Sequence, residues 1–292
     1  MLGMARHTYV LADAFTREKL AGNPCAVVLD ADALDAGTMQ RIAREMNLSE
    51  TAFVVSSRRA DIGVRYFTPV HEMPLAGHPT IATAHVLREA GRLHDGTSTF
   101  EMPAGIVPVE CGEIDGSPGY TMTQPAPAFL RSYDRAAIAA GLSLNPADLD
   151  PTLEPRTVST GAPMLMVALA SRAALDRASP DRAALFADPQ RDFISVHVFV
   201  RDDDRPYAFL ARHFSPPGDV PEDPVTGSAC GAMAAYAWSR AVVERRAFVV
   251  RQGLHVGRPG DVYVDLLGAR DAIAGVRVGG HAVTVARGEL LL

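Results

Sequence analysis

The chain has few cysteines, no block of basic residues and no apolar run long enough to cross a bilayer, and each shortage removes a class of protein. Its three cysteines, Cys25, Cys111 and Cys230, are odd in number and lack metal-ligand spacing, which argues against a disulfide framework and a cysteine-built metal site. The net charge is −6 and the arginines are scattered singly, so nothing points to nucleic acid or an anionic membrane as a partner. The longest uncharged run, residues 224–239, is too short and too rich in Gly, Ala and Ser to span a membrane, and residues 1–10 hold no long apolar segment. A cytoplasmic location is the resulting expectation. No metal, nucleotide or flavin motif is visible, so the expectation is also of no cofactor.

What is present is a globular composition. At 292 residues, with 48% hydrophobic and 21% charged, the chain suits two domains, each large enough for its own core. Two stretches share one design. Pro74-Leu75-Ala76-Gly77-His78-Pro79-Thr80 opens the uncharged run 81–87, and Glu222-Asp223-Pro224-Val225-Thr226-Gly227-Ser228 opens another, 229–239. Each sets a Pro/Gly turn with small polar residues before a helix too apolar to face water. Helix starts carry unpaired N–H groups and a partial positive charge, so two of them make a cradle for a small anion.

Short β-rich runs dominate the remainder. Residues 8–12, 25–29, 51–55, 62–67 and 106–110 are rich in Val, Ile, Phe and Tyr and are bounded by turn residues. Between them, 35–48 places Met39, Ile42, Ala43 and Met46 at helical spacing behind an Asp35 cap. In the second half, 164–169, 193–200, 207–214, 248–252, 262–266 and 276–286 read as strands. Gln124-Pro125-Ala126-Pro127-Ala128 and the polar segment to Asp134 read as a linker, because successive prolines interrupt both helix and ladder. The halves have comparable lengths, and a helix without a polar face must be covered all round. The inferred class is therefore α+β, with a curved sheet wrapped about a central helix in each half.

Five motifs, in order, carry a resemblance: Gly22-Asn23-Pro24-Cys25-Ala26-Val27-Val28, Asn47-Leu48-Ser49-Glu50-Thr51-Ala52-Phe53-Val54, Phe67-Thr68-Pro69, and the two helix-start stretches, the second continued through Ala229. In them the chain resembles the PhzF-like isomerases, related to the phenazine-biosynthesis enzyme, within the diaminopimelate-epimerase-like superfamily. The resemblance implies two pseudo-symmetric domains, each a mixed β-barrel around a central helix, with the active site in the cleft between them. It implies a domain of residues 1–128, completed by a returning C-terminal strand at 280–292, and a second of 129–279. It also implies a homodimer.

Site residues follow in two layers. Ser-Glu before a strand is by itself an ordinary solvated turn, although a carboxylate partly removed from water is a competent general base; the resemblance makes Glu50 the proton-shuttling residue. His78 reads as a capping or packed histidine, and its i,i+7 relation to His85 raises metal ligation, for which no third ligand stands at convincing spacing. By resemblance His78 is an active-site acid or hydrogen-bond donor, with Gly77 allowing close approach of a ligand. Asp223 before Pro224 reads as an Asx-Pro turn, and by resemblance shares protons with the histidine and substrate. Glu222 reads as its solvated neighbour. Gly227 and Ser228 suit a substrate carboxylate, Ser228 being otherwise a helix cap, and Ser49 adds a weaker hydrogen bond. Specificity is expected within 67–73 and 213–220.

Two-base epimerases of the superfamily place a cysteine before each helix start, whereas this chain has Ala76 and Thr226 there. Cys230 lies further into the helix and Cys25 in a strand, positions suited to inert packing. The reading is thus a cofactor-independent isomerase acting on a small carboxylate-bearing substrate through a single base, Glu50. The reference reaction is isomerisation of trans-2,3-dihydro-3-hydroxyanthranilate. The alternative is a non-catalytic carboxylate-binding or regulatory protein that kept the site. A serine hydrolase built on Ser228 and His78 lacks the nucleophile-elbow pattern.

Overall fold

A computed structural model describes residues 6–202 and 207–292. In chain order the elements are β1 (Arg6–Ala14), β2 (Asn23–Val28), α1 (Ala36–Met46), β3 (Glu50–Val55), β4 (Ile62–Phe67), β5 (Glu72–Met73), α2 (His78–Glu89), β6 (Gly96–Met102), β7 (Gly105–Ile114) and β8 (Ser117–Gln124). They continue with β9 (Ala128–Ser132), α3 (Arg135–Gly141), β10 (Arg156–Ser159), β11 (Pro163–Ala168), α4 (Arg172–Arg177), α5 (Arg182–Leu185), β12 (Val196–Arg201) and β13 (Phe209–Phe214). Last come β14 (Glu222–Asp223), α6 (Gly227–Ser239), β15 (Ala247–Gln252), β16 (Gly260–Ala269), β17 (Ala272–Gly280) and β18 (Ala282–Leu291). The chain divides into two compact units, the described residues up to Thr123 with Gly279–Leu292, and Gln124–Val278.

The first unit is a mixed sheet around α2. β1 lies antiparallel to both β18 and β2, β2 parallel to β3, β3 antiparallel to β4, β4 parallel to β6, and β6, β7 and β8 antiparallel in turn. α2 packs against β1, β2, β3, β7 and β18, and ten of its twelve residues are buried. That enclosure explains why the helix has no polar stripe. α1 is the contrasting case. Asp35 caps it by accepting from Thr38 N at 2.8 Å, Asn47 closes it in the left-handed region, and only Met39, Ile42 and Ala43 are buried, against Val28, Phe53 and Phe67.

The second unit repeats the pairing scheme. β9, β10 and β11 are antiparallel in turn, β11 is parallel to β12, β12 antiparallel to β13, β13 parallel to β15, and β15 antiparallel to β16. Its central helix α6 packs on β10, β11 and β16 with twelve of thirteen residues buried. A Cβ at Gly231 would meet the Gln124 side chain and come within 2.8 Å of Val278 Cγ2, so close packing requires glycine there. α3, α4 and α5 cover the other face through an apolar cluster that includes Leu142, Leu175, Leu185, Val198 and Phe214. Among the described residues no helix is long and apolar enough to cross a membrane.

Two expectations change. The run 276–286 is two strands, broken at His281, whose carbonyl accepts from Phe15 N at 2.7 Å. The segment to Asp134 is not all linker: after Pro125 and Pro127 it enters β9, which pairs with β10. Proline keeps the preceding backbone extended, so a ladder resumes where N–H groups return.

Candidate active site

Glu50 is the first residue of β3, where the chain leaves the turn after α1, and it pairs in parallel register with Cys25 of β2. His78 is the first residue of α2, with Gly77 at the cap position and Pro79 next, a proline placement the first turn tolerates because its N–H would be unpaired anyway. These local structures bring the two side chains together. Glu50 Oε2 stands 3.3 Å from His78 Nδ1, with side-chain exposures of only 13% and 3%. The same nitrogen is 3.0 Å from Asn23 Nδ2, at the start of β2 and fully buried. A carboxyl and an imidazole in this contact can hold one proton on either atom, which is the arrangement a proton shuttle needs.

The wall behind the pair is formed by buried residues. Tyr66 shares a 2.8 Å hydroxyl contact with Thr80, which donates to Ala76 O at 2.7 Å. Burial pushes the Tyr66 phenol up, opposed by the Thr80 hydrogen bond and reinforced by the charge of Glu50. Burial, then Glu50, likewise pushes up the Cys25 thiol, which disfavours the thiolate form in this buried position. Ser49 is half-buried beside Glu50 and Gly77 is buried. His85 is engaged elsewhere, with Nδ1 3.1 Å from Tyr120 Oη and Nε2 3.1 Å from Thr284 Oγ1. Among the described residues no group of three or more His, Cys, Asp or Glu could hold a metal ion.

In the second unit Asp223 ends β14 and pairs with His213 of β13. Its Oδ2 accepts from Thr226 Oγ1 at 2.5 Å, and its carbonyl accepts from Gln252 Nε2 at 2.8 Å. Gln252 Oε1 accepts in turn from Thr226 N at 3.1 Å. The turn before α6 is thereby tied down through side chains. Thr226 occupies the cap position, so Ser228 is not the cap but a buried residue of the first turn, next to Gly227. The first N–H groups of α6 have no intrahelical carbonyl to bind, the general feature by which helix starts suit anions.

The expectation for Glu222 is overturned. It is no solvated neighbour: Arg212 Nε and Nη2 grip its carboxylate at 2.9 and 2.8 Å, and Arg212 Nη1 donates to Leu175 and Ala178 carbonyls at 2.9 and 2.7 Å. Successive strand residues face opposite sides, so fixing Glu222 on one face aims Asp223 at the other. Sequence reasoning also gave no role to Asn23, although it quoted the motif containing it, nor to His197, Thr226 or Gln252. His213 fell inside the 213–220 segment expected to set specificity.

The sequence profile of the family described as phenazine biosynthesis-like protein (PhzC-PhzF) matches residues 12–288. The chain is 36% identical over 290 residues to trans-2,3-dihydro-3-hydroxyanthranilate isomerase of Pseudomonas aeruginosa, covering 98% of this chain and 100% of that one. It is 38% identical over 261 residues to the Bacillus subtilis protein named uncharacterized isomerase YfhB, covering 87% and 88%. Among solved structures, the PhzF-family phenazine biosynthesis protein of Bacillus anthracis matches with a TM-score of 0.88 at 34% identity, over 99% of this chain and 100% of that one. The class is therefore an α+β isomerase. The chain belongs to the phenazine biosynthesis-like, or PhzF, family.

Proposed function

We propose that this isomerase moves a proton within a small carboxylate-bearing, unsaturated substrate, with Glu50 as its single base and no cofactor. The observation that carries the reading is the 3.3 Å contact between the half-buried Glu50 and the buried His78. Glu50 takes a proton from a carbon acidified by neighbouring unsaturation or a carbonyl, and returns it to another carbon of the same conjugated system on the same face. The electron pair left by the broken C–H bond shifts the double bond, so atoms and charge balance with no other reactant. His78 and Asp223 steady the charge that develops, and the first turn of α6, with Gly227 and Ser228, holds the carboxylate, while Ser49 and Gly77 contact the substrate beside Glu50.

A single base is supported by register. Thr51 pairs with Phe67 in the first unit and Val196 with Phe214 in the second, so the position matching Glu50 is Ser195. The second unit has no carboxylate there, and Ala76 and Thr226 stand where two-thiol epimerases would need cysteines.

The reference substrate is trans-2,3-dihydro-3-hydroxyanthranilate, after the Pseudomonas relatives. Wild type and Glu50→Gln would be incubated with it, and with a panel of unsaturated and amino carboxylates, in deuterium oxide, following label and product by NMR. Glu50-dependent deuterium uptake is the expected result. Undiminished exchange in Glu50→Gln would remove the base; saturable binding without exchange for any compound would favour a carboxylate-binding protein.

A further inference from the structure

One buried row in the second unit differs in kind from its counterpart in the first. At matched register the first unit carries Ala52, Tyr66 and Met73 across β3, β4 and β5, and the second carries His197, His213 and Asp223 across β12, β13 and β14. All six are buried. Exchanging a methyl, a phenol and a thioether for two imidazoles and a carboxylate costs desolvation unless the polar groups satisfy one another.

The two imidazoles touch. His197 Nδ1 and His213 Nδ1 are 3.2 Å apart, with the rings tilted by 50°. Two bare nitrogens, or two N–H groups, repel at that distance, so one proton sits between them and the rings adopt opposite tautomers. Burial pushes His213 down to about 4 against the opposing charges of Asp223 and Glu222, and burial with His213 holds His197 well below the usual histidine range. Both rings are therefore uncharged at neutral pH.

The neighbours limit what can orient the pair. Glu222, the other carboxylate acting on His213, is occupied by Arg212. From α6 comes the Cys230 thiol, pushed up by burial and by Asp223 and donating to Gln252 Oε1 at 3.7 Å; from the α6 cap comes Thr226, hydrogen-bonded to Asp223. Asp223 stands directly opposite His213 in the β13–β14 pair, and its charge acts on His213 more strongly than that of Glu222. An anion at one end of a polar chain turns the N–H dipoles toward itself.

We infer that His197 and His213 form a neutral imidazole pair that positions the Asp223 carboxylate, with the shared proton on His197 Nδ1 and the His213 proton on Nε2. His197 Nε2 is then bare. It is a buried ring nitrogen without a hydrogen-bond partner among the described residues, and the opposite order would strand an N–H there. His197 and His213 are positioning residues: they act through Asp223. The inference rests on the reading of Asp223 as a substrate-handling group.

The test uses the full chain labelled with 15N-histidine and 13C-aspartate, observed by NMR at pH 7. One Nδ1–H ring and one Nε2–H ring are expected. The Asp223 carboxyl resonance should move in His213→Asn, whose amide reaches only the Nδ1 position, and stay near wild type in His213→Gln, whose amide reaches the Nε2 position. With trans-2,3-dihydro-3-hydroxyanthranilate as the probe, His213→Asn should lower kcat about tenfold with KM within about twofold, and His213→Gln should recover most of the loss. A charged ring, two identical tautomers, or an Asp223 resonance indistinguishable between the Asn and Gln variants would overturn the pair. Asp223→Asn turning over the probe at the wild-type rate would instead remove the role of Asp223 and leave the tautomer result standing. If wild type does not turn over the probe, the resonances alone decide.

Discussion

Where β4 turns back on β5, Arg65 grips Glu72 through two 2.7 Å contacts and lies over Phe67; where β13 turns back on β14, Arg212 grips Glu222 and lies over Phe214. Each clamp is followed by Pro, two further residues, and a glycine beside the first helical turn: Pro74 to Gly77 before α2, Pro224 to Gly227 at α6. The supporting frame is thus the same in both units. The residues that can do chemistry are not: His78 matches Ser228, Met73 matches Asp223, Tyr66 matches His213 and Glu50 matches Ser195. What repeats is what holds a helix start in place, and what differs is the set of titratable and polar side chains placed beside it.

The sharpest way to break this comparison is to treat the matched pair Glu50 and Ser195 alike. Glu50→Gln should lower isomerisation by about 10²–10⁴-fold, as removal of a general base does, whereas Ser195→Ala should stay within about twofold. Comparable losses in steady-state rates would end the single-base reading. Next come the two clamps. Arg212→Met strands Glu222 in a site where the partners are 10% and 15% exposed, and should cost about 3–5 kcal/mol in urea unfolding. Arg65→Met, with partners 30% and 31% exposed, should cost about 1 kcal/mol. Equal costs would show that burial does not separate the frames.

The polar row gives a pH signature. Both His197 and His213 have folded values below the ordinary 6.5, so as pH falls the unfolded state takes up their protons first and folding loses stability. For His213 the loss runs from about pH 6.5 to about pH 4 and amounts to about 3 kcal/mol. Carboxylates such as Asp61, held low by the Thr99 hydroxyl, contribute stability lost only as pH falls below about 4. Introducing the first unit's residues, His197→Ala with His213→Tyr, should flatten the slope of chemical-denaturation stability across that window; an unchanged slope would mean other groups set it. A last contrast concerns the helix interiors. Gly231 of α6 matches Ile81 of α2, and Gly231→Ala should lower stability by about 1–3 kcal/mol through overpacking against Gln124 and Val278, read from the thermal midpoint.

Much of the fold was legible where one local rule sufficed. Residues 62–67 form a strand as read, Asp35 caps α1 as its side chain allows, and both uncharged runs are buried central helices. Reading failed where pairing overrides composition. β6, with Thr97, Ser98 and Thr99, has no apolar alternation at its start yet pairs with β7 along its full length. α3, α4 and α5 are too short to show a helical period and are held by caps at Asp134, Ser171 and Asp181. Glu222 looked solvated because its neighbour in sequence, Asp223, gives no hint of an arginine ten positions upstream.

The sequence by itself determined the α+β class and the two helix starts, because each depends on composition or spacing within a few positions; the residues at which the chemistry is proposed followed from the resemblance that its motifs carry. The tertiary structure decided that Glu50 and His78 share one contact, that Glu222 belongs to Arg212, and that His197 meets His213 across a separation of 16 residues. Strand register sets the last two meetings, since a ladder of backbone hydrogen bonds places side chains opposite one another irrespective of how far apart they lie in the chain, and the packing of the α2 start beside β3 sets the first.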